Sequence, residues 1–122
     1  SSEIKAGFPS PAADFEELKL SLDHLLVKNR EATFYAKASG NSMIGAGIDD
    51  GDILVIDRSL EPRNNAIAVC LIDGEFTVKR IKKDNDEVYL MPENSQYQPI
   101  KIEEENELII WGIVTYAIKQ MK

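Results

Sequence analysis

The chain has 122 residues, 43% of them hydrophobic, which suffices for one domain with one core but not for a second module of any size. Its formal net charge of −7 at pH 7 argues against direct binding to nucleic acid, because such binding needs a basic face that displaces counterions from phosphates. It has no apolar run of about twenty residues and no signal-peptide-like start, so we expect no membrane segment, and its single cysteine cannot form an internal disulfide, which fits a cytoplasmic protein.

The N-terminal residues are rich in glycine, proline and small side chains and show no periodicity. They predict an extended arm, residues 1–14, followed by one folded domain, residues 15–122. Because the chain starts at Ser1 without a methionine, we expect it to be part of a longer protein. Ala6 and Gly7 flank a peptide bond with little bulk, and a protease cleft accepts such an extended segment as an added strand. On composition alone, a disordered tail is the alternative.

The first half of the domain predicts short elements. Leucines at positions 18, 20 and 22 alternate, which indicates a short strand. Ser21 or Asp23 can then cap a helical turn that carries Leu22, Leu25 and Leu26. Two strands follow, at residues 32–38 and 53–57.

The second half predicts a series of antiparallel strands. The dipeptide Asp73-Gly74 is typical of a hairpin turn between strands 66–72 and 75–83. Further strands are predicted at residues 87–91, 97–102 and 108–119, separated by the turns 84–86 and 103–107. Strands at this spacing with so little helix predict a mostly β fold, compact and mostly antiparallel, whose sheets curl into a partial barrel.

The turn between the strands at 32–38 and 53–57 is the candidate functional segment. Gly40, Gly45 and Gly47 break regular structure, so Ser42 is presented on a turn where backbone N–H groups can converge. A serine hydroxyl needs a base within hydrogen-bonding distance to act as a nucleophile. The single histidine, His24, falls in the predicted helical turn, which leaves lysine as the candidate base.

Lys79 is the candidate, since it lies on the predicted strand 75–83 with Thr77 and Ile81 on the same face. A lysine acts as a base only when an apolar setting keeps it neutral, so we expect Lys79 to be buried. On spacing alone, a plain loop serine and a solvated lysine are the alternatives.

Other side chains suggest structural roles. Met43 is expected to pack beneath the turn and fix the direction of Ser42, and Cys70 to be buried in a strand. Asp52 is expected to cap the turn before Ile53. Trp111 is interpreted as a core or dimer contact in preference to a substrate platform. The acidic residues at 49–52 lack the glutamate that a calcium loop places at its twelfth position, and one histidine with one cysteine cannot form a zinc site, so no metal or other cofactor is predicted.

Three motifs and the arm together have a distinctive order along the chain. They are Ala6-Gly7-Phe8-Pro9-Ser10-Pro11-Ala12-Ala13-Asp14-Phe15, Gly40-Asn41-Ser42-Met43, Asp50-Gly51-Asp52-Ile53-Leu54 and Phe76-Thr77-Val78-Lys79-Arg80. The combination resembles the self-cleaving Ser-Lys peptidase domain of LexA-type repressors and UmuD, and the arm is similar to the UmuD-like members. The resemblance extends from Ala6 to about Lys119.

The resemblance implies the fold of the LexA C-terminal peptidase domain, a catalytic dyad of Ser42 and Lys79, and self-cleavage between Ala6 and Gly7. Where UmuD proteins often have cysteine before the glycine, this chain has alanine, as LexA-type repressors do. Backbone N–H groups of the turn, including that of Ser42, would stabilise the oxyanion, with Met43 supporting the turn. The rate should rise between about pH 8 and 10 as the lysine loses its proton.

The resemblance also implies partners. It predicts a homodimer, stimulation of cleavage by the RecA filament on single-stranded DNA, and a Y-family polymerase subunit, similar to UmuC, that binds the shortened form during translesion synthesis in the SOS response. Two alternatives stay open: the C-terminal half of a LexA-type or phage repressor, which the residues of the arm favour less, and an interaction module with a vestigial dyad.

Overall fold

The computed structural model describes residues 4–7 and 21–122. One short helix, α1 (Leu22–Leu26), precedes seven strands, and no helix in these ranges is long and apolar enough to cross a membrane. The strands are β1 (Thr33–Lys37), β2 (Ile53–Asp57), β3 (Ile67–Ile72), β4 (Glu75–Asp84), β5 (Glu87–Met91), β6 (Ile100–Lys101) and β7 (Leu108–Ile118). Single 3-10 turns lie at Arg30–Ala32 and Ile44–Ala46.

All strands belong to one antiparallel sheet in the order β1-β2-β7-β3-β4-β5-β6. Three strands lie between β1 and β4 in this order, yet Phe34 of β1 and Phe76 of β4 both contact the ring of Trp111, at centroid distances of 5.3 and 6.1 Å. The sheet therefore curls without closing, because within residues 4–7 and 21–122 each of β1 and β6 pairs on one side only. The predicted mostly β fold with a partial barrel is confirmed.

Local sequence signals located most of the elements. Asp73 and Gly74 have φ angles of 48° and 83°, as the two-residue hairpin turn between β3 and β4 requires. The side chain of Ser21 accepts a hydrogen bond from the backbone N of His24, so Ser21 caps α1. The strand predicted around Leu18 and Leu20 and the arm boundary at residues 14 and 15 lie outside the described residues, while Leu22 lies in α1 and not in a strand.

The strand predicted at residues 97–102 is wrong over most of its length, because only Ile100–Lys101 pairs, with β5. The backbone N of Tyr97 donates to the carbonyl of Asn94 at 3.0 Å, and the side chain of Asn94 accepts from the N of Gln96. These bonds form a turn, and Pro99 has no N–H to donate to a sheet. The turn between β4 and β5 begins one residue later than predicted, after Asp84.

Two hydrophobic clusters pack on the sheet, and residues of β3 alternate between them. Val69 belongs to the first cluster, whereas Ala68 and Cys70 belong to the second and are fully buried, as predicted for Cys70. The first cluster also contains Met43 and Ile48 from the segment between β1 and β2. That segment, which carries Ser42, is therefore fixed to the core from beneath.

Candidate functional site

The Ser42 turn is tied to itself at the ends of β1 and β2. The backbone N of Gly51 donates to the carbonyl of Ala38, and the backbone N of Gly40 donates to the carboxylate of Asp50, both at 2.8 Å. Gly40 and Gly51 have φ angles of 88° and 89°, a region that favours glycine. These glycines allow the chain to leave the sheet after β1, present Ser42 on the turn and enter the sheet again as β2.

A second anchor comes from Glu93, just after β5. Its backbone N donates to the carbonyl of Ser42, and its carbonyl accepts from the N of Gly45, both at 2.7 Å. A Cβ at Gly45 would lie 2.6 Å from that carbonyl oxygen, so this contact needs glycine. The side chain of Asn94 also donates to the carbonyl of Asn41 at 2.9 Å. The sequence pattern did not reveal this anchor, because it joins segments about fifty residues apart.

Asp52 caps the turn, as predicted, since its carboxylate accepts from the backbone N of Asp49 at 2.8 Å. Lys119, just beyond β7, forms ion pairs with Asp52 and, at 2.9 Å, with Asp49. The ion pair lowers the pKa of Asp52 and raises that of Lys119. Among the described residues, no group of three or more acidic, histidine or cysteine side chains is placed to hold a metal ion.

Lys79 reaches Ser42 from β4. Its side chain is buried, with 8% of the residue exposed, and its Nζ lies 3.0 Å from Ser42 Oγ. The same nitrogen lies 2.7 Å from Thr77 Oγ1 and 3.1 Å from the carbonyl oxygen of Val78. An ammonium at this position can donate to all three oxygens, whereas a neutral amine can donate to Thr77 and Val78 and accept from the Ser42 hydroxyl, so the contacts suit both forms of the lysine.

The surroundings of Lys79 favour its neutral form. Burial lowers the pKa of Lys79, and none of the ion pairs in the described part of the chain includes it. The nearby Cys70 gives no counter-charge at neutral pH, since burial raises the pKa of its thiol to about 11. Thr77 stands two residues before Lys79 on the same face of β4. Strand alternation predicted that Thr77 lies on the same face as Lys79. It did not predict the contact between the Thr77 hydroxyl and the Lys79 amine.

Two backbone donors beside Ser42 are unused. From Ile44 to Ile48, each backbone N–H donates to a carbonyl oxygen, but within residues 4–7 and 21–122 the N–H groups of Ser42 and Met43 have no acceptor. Met43 itself is buried, with its side chain in the first hydrophobic cluster. The buried Met43 side chain holds the backbone of the turn in place, and the backbone N–H groups of Ser42 and Met43 stay available to an anion.

An apolar cleft of about 490 Å³ opens beside Ser42. Its walls come from β1, the Ser42 turn, β4 and Trp111. Trp111 packs against the first cluster, as predicted for a core residue, and in addition lines the cleft. Arg58 lies over its ring, with the guanidinium carbon 4.3 Å from the ring centroid. The aromatic lining, which depends on the curl of the sheet, was not apparent from the strand pattern.

The described part of the arm, residues 4–7, does not contribute to this cleft. Ala6 and Gly7 are exposed, and none of the described arm residues lines the cleft. His24 is exposed on α1 and does not line it either. The structure therefore brings Ser42 and Lys79 together, but it does not bring the Ala6-Gly7 bond to them.

Comparison with known proteins agrees with this architecture. The profile of the family described as Peptidase S24-like matches residues 1–115. The chain is 42% identical to Protein MucA of Salmonella typhimurium over 94% of its own length and 79% of that protein. It is 39% identical to Protein SamA of the same species, over 96% of this chain and 81% of SamA, and 37% identical to Protein ImpA of Escherichia coli, over 97% and 80%. The chain belongs to the Peptidase S24-like family, as a UmuD-like, self-cleaving serine peptidase of SOS mutagenesis.

Proposed function

We propose that Ser42 is the nucleophile, that Lys79 is its general base, and that together they cut the chain between Ala6 and Gly7. The observation that carries the proposal is the 3.0 Å approach of Lys79 Nζ to Ser42 Oγ within a buried setting. A serine and a lysine at this distance form a nucleophile and base pair when the lysine is neutral. Burial without a counter-charge favours that neutral form.

In each half of the reaction, Lys79 accepts a proton from the attacking hydroxyl group or water and gives it to the leaving group. Neutral Lys79 accepts the proton of the Ser42 hydroxyl as Oγ forms a bond to the carbonyl carbon of Ala6. When the Ala6-Gly7 bond breaks, Lys79 gives that proton to the amine of Gly7. Lys79 then takes a proton from a water molecule as the water oxygen bonds to the acyl carbon. When the bond from that carbon to Ser42 Oγ breaks, Lys79 returns the proton to Oγ, which restores the serine hydroxyl and leaves a new carboxyl terminus at Ala6.

The free N–H groups of Ser42 and Met43 are suited to stabilise the oxyanion of the tetrahedral intermediate. They are the amides of the nucleophile itself and of the residue after it. The turn that carries them is held by the backbone hydrogen bonds to Glu93 and by the buried Met43 side chain. Donors fixed before the reaction stabilise developing charge without a cost of reorganisation.

The arm is proposed to enter the cleft as an added strand. β1 lines the cleft and, among the strands of the described residues, is an edge of the sheet, so its outer backbone groups can pair with an extended segment. Ala6 and Gly7 are slim enough for a close approach to Ser42. Because these two residues are exposed in the structure, cleavage requires the arm to move, and a factor that holds the arm in the cleft would accelerate the reaction.

The remaining proposals concern organisation and partners. The chain is divided into an arm, residues 1–14, and a peptidase and dimerisation domain, residues 15–122, and it acts in the cytoplasm as a homodimer. The RecA filament on single-stranded DNA is the stimulating factor, and the shortened form binds a Y-family polymerase subunit similar to UmuC. The membership in a UmuD-like group supports these partners, and the net charge of −7 favours contact with DNA through proteins.

The test is mass spectrometry of the purified chain incubated at pH 10, beside Ser42→Ala and Lys79→Ala variants. A break between Ala6 and Gly7 in the wild type alone supports the dyad and the cleavage site together. If all three proteins stay intact, an activated RecA filament is added. Continued absence of cleavage would refute the proposal, and a break at another bond would refute the assignment of Ala6-Gly7.

A further inference from the structure

A row of apolar side chains, two exposed and the one between them half-buried, crosses the sheet beside the cleft. Leu71 of β3 lies directly opposite Phe76 of β4 on one side and Ile109 of β7 on the other, so the three side chains point from the same face. Phe76 is 62% exposed and Ile109 is 54% exposed. We call these three residues the apolar row. Large apolar side chains that are contiguous and exposed mark a surface that binds another molecule.

Carboxylates frame the end of the sheet next to this row. The loop at residues 103–107 is fixed against the β3–β4 hairpin, since the carboxylate of Asp73 accepts from the backbone N of Glu107 at 2.8 Å and from the side chain of Asn106 at 2.7 Å. The exposed acidic residues at this end of the sheet are Asp73, Glu103, Glu104, Glu105 and Glu107, while Glu75 precedes Phe76 on β4 and points to the other face. None of the ion pairs in residues 4–7 and 21–122 uses them.

The charge decides which occupant suits this surface. A nucleic acid is repelled by the carboxylates, and a second copy of the chain presents the same carboxylates on the corresponding face. A basic segment with an apolar stripe satisfies both features, because its lysines or arginines meet the carboxylates while its stripe covers the row. The row spans three neighbouring strands, about 10 Å, which is the width that the apolar stripe of one helix covers.

We propose that the apolar row and its acidic frame form a docking surface for a basic amphipathic helix of a partner protein. The surface does not use Ser42 or Lys79, so it can function in a chain that is unable to cleave itself. It adjoins the cleft, because Phe76 belongs to the row and also lines the cleft. The inference goes beyond the proposed cleavage and does not depend on it.

The experiment uses a synthetic amphipathic peptide of leucine and lysine, about 18 residues long, titrated into the isotopically labelled full chain. Amide shifts locate the binding site, and the emission of Trp111, the single tryptophan, reports affinity through its contact with Phe76. The control peptide has glutamate in place of each lysine. We expect binding of the basic peptide alone, with the largest shifts at the row and at residues 103–107.

Variants separate this surface from general attraction to an acidic protein. Ile109→Thr keeps a β-branched side chain in the strand, and together Glu104→Lys and Glu105→Lys reverse two exposed charges that make no hydrogen bond in the described residues. Each change should weaken the affinity for the basic peptide about tenfold. Leu60→Thr, at a comparably exposed apolar side chain in the β2–β3 loop, should leave that affinity unchanged. Self-cleavage should be unchanged in the charge-reversed protein.

Several results would overturn the proposal. Equal binding of the acidic peptide, shifts concentrated elsewhere, or unchanged affinity in the charge-reversed protein would each exclude the surface. A change in sedimentation on Ile109→Thr would show that a second copy covers the row, and altered shifts at residues 4–7 of the free variant would show that the arm does. If Ile109→Thr does not fold, the charge-reversed protein decides.

Discussion

The hydroxyl of Thr77 offers a sharp test of how the site controls its lysine. Thr77→Val keeps the shape of the side chain but removes the oxygen that lies 2.7 Å from Lys79 Nζ. A hydrogen bond to a charged group contributes about 1.5–3 kcal/mol, and one between neutral groups about 0.5–1.5 kcal/mol. The charged amine therefore loses about 1.4 kcal/mol more than the neutral amine, which lowers the pKa of Lys79 by about one further unit.

The sign of the effect follows from the form of Lys79 that works as a base. Burial already places the pKa of Lys79 below its ordinary value, and cleavage accelerates as pH rises through that pKa. In Thr77→Val the rising part of the rate profile should move about one unit toward lower pH. The maximal rate should fall several-fold, because the amine loses one of the two acceptors that orient it.

The assay measures the first-order rate of Ala6-Gly7 cleavage by mass spectrometry from about pH 6 to 11. Thr77→Ser is the matched control, since it retains the hydroxyl and should keep the wild-type profile. Thermal unfolding of each variant ensures that only folded protein is compared. A Thr77→Val profile that stays in place or moves to higher pH would contradict the account of how Thr77 and burial set the pKa of Lys79.

Three further predictions concern the supports of the site. Gly45→Ala should slow cleavage at least about tenfold, since its Cβ would lie 2.6 Å from the carbonyl oxygen of Glu93 and displace the Ser42 turn. The control is Ile44→Ala, at an exposed neighbouring side chain, which should keep the wild-type rate. An equal cleavage rate in the two variants would exclude a role for the contact between Glu93 and the turn. Lys119→Met should lower the melting temperature by a few degrees at pH 7. Because Asp52 has a lowered pKa and Lys119 a raised one, this difference should fade as pH falls below about 4 and as it rises above about 10.5, and a difference constant from pH 2 to 12 would refute the ion pair as its cause. Cys70, fully buried with a pKa of about 11, should resist a thiol-specific reagent at pH 8 until the protein is unfolded, and rapid labelling of the native protein would contradict its placement.

Much of the fold and both residues of the proposed dyad could be predicted from the sequence, because they depend on local chemistry. Glycines with positive φ mark the Ser42 turn, and the dipeptide Asp73-Gly74 sets the β3–β4 hairpin and with it the register of Lys79. Alternation along β4 places Thr77 and Lys79 on one face whatever the rest of the chain does. Where the local signal was weak, as at residues 97–102, a turn formed by Asn94 replaced most of the predicted strand.

Only the tertiary structure decides whether these residues meet. Ser42 and Lys79 are 37 positions apart, and their contact depends on the curl of one continuous sheet and on Glu93, which holds the turn through backbone atoms that carry no sequence signature. The lowered pKa of Lys79 likewise depends on burial by several strands, since desolvation is a property of the assembled environment and not of the residue. The sequence by itself therefore determined which groups are available, while packing determined the distance between them and the direction in which the pKa of Lys79 is shifted.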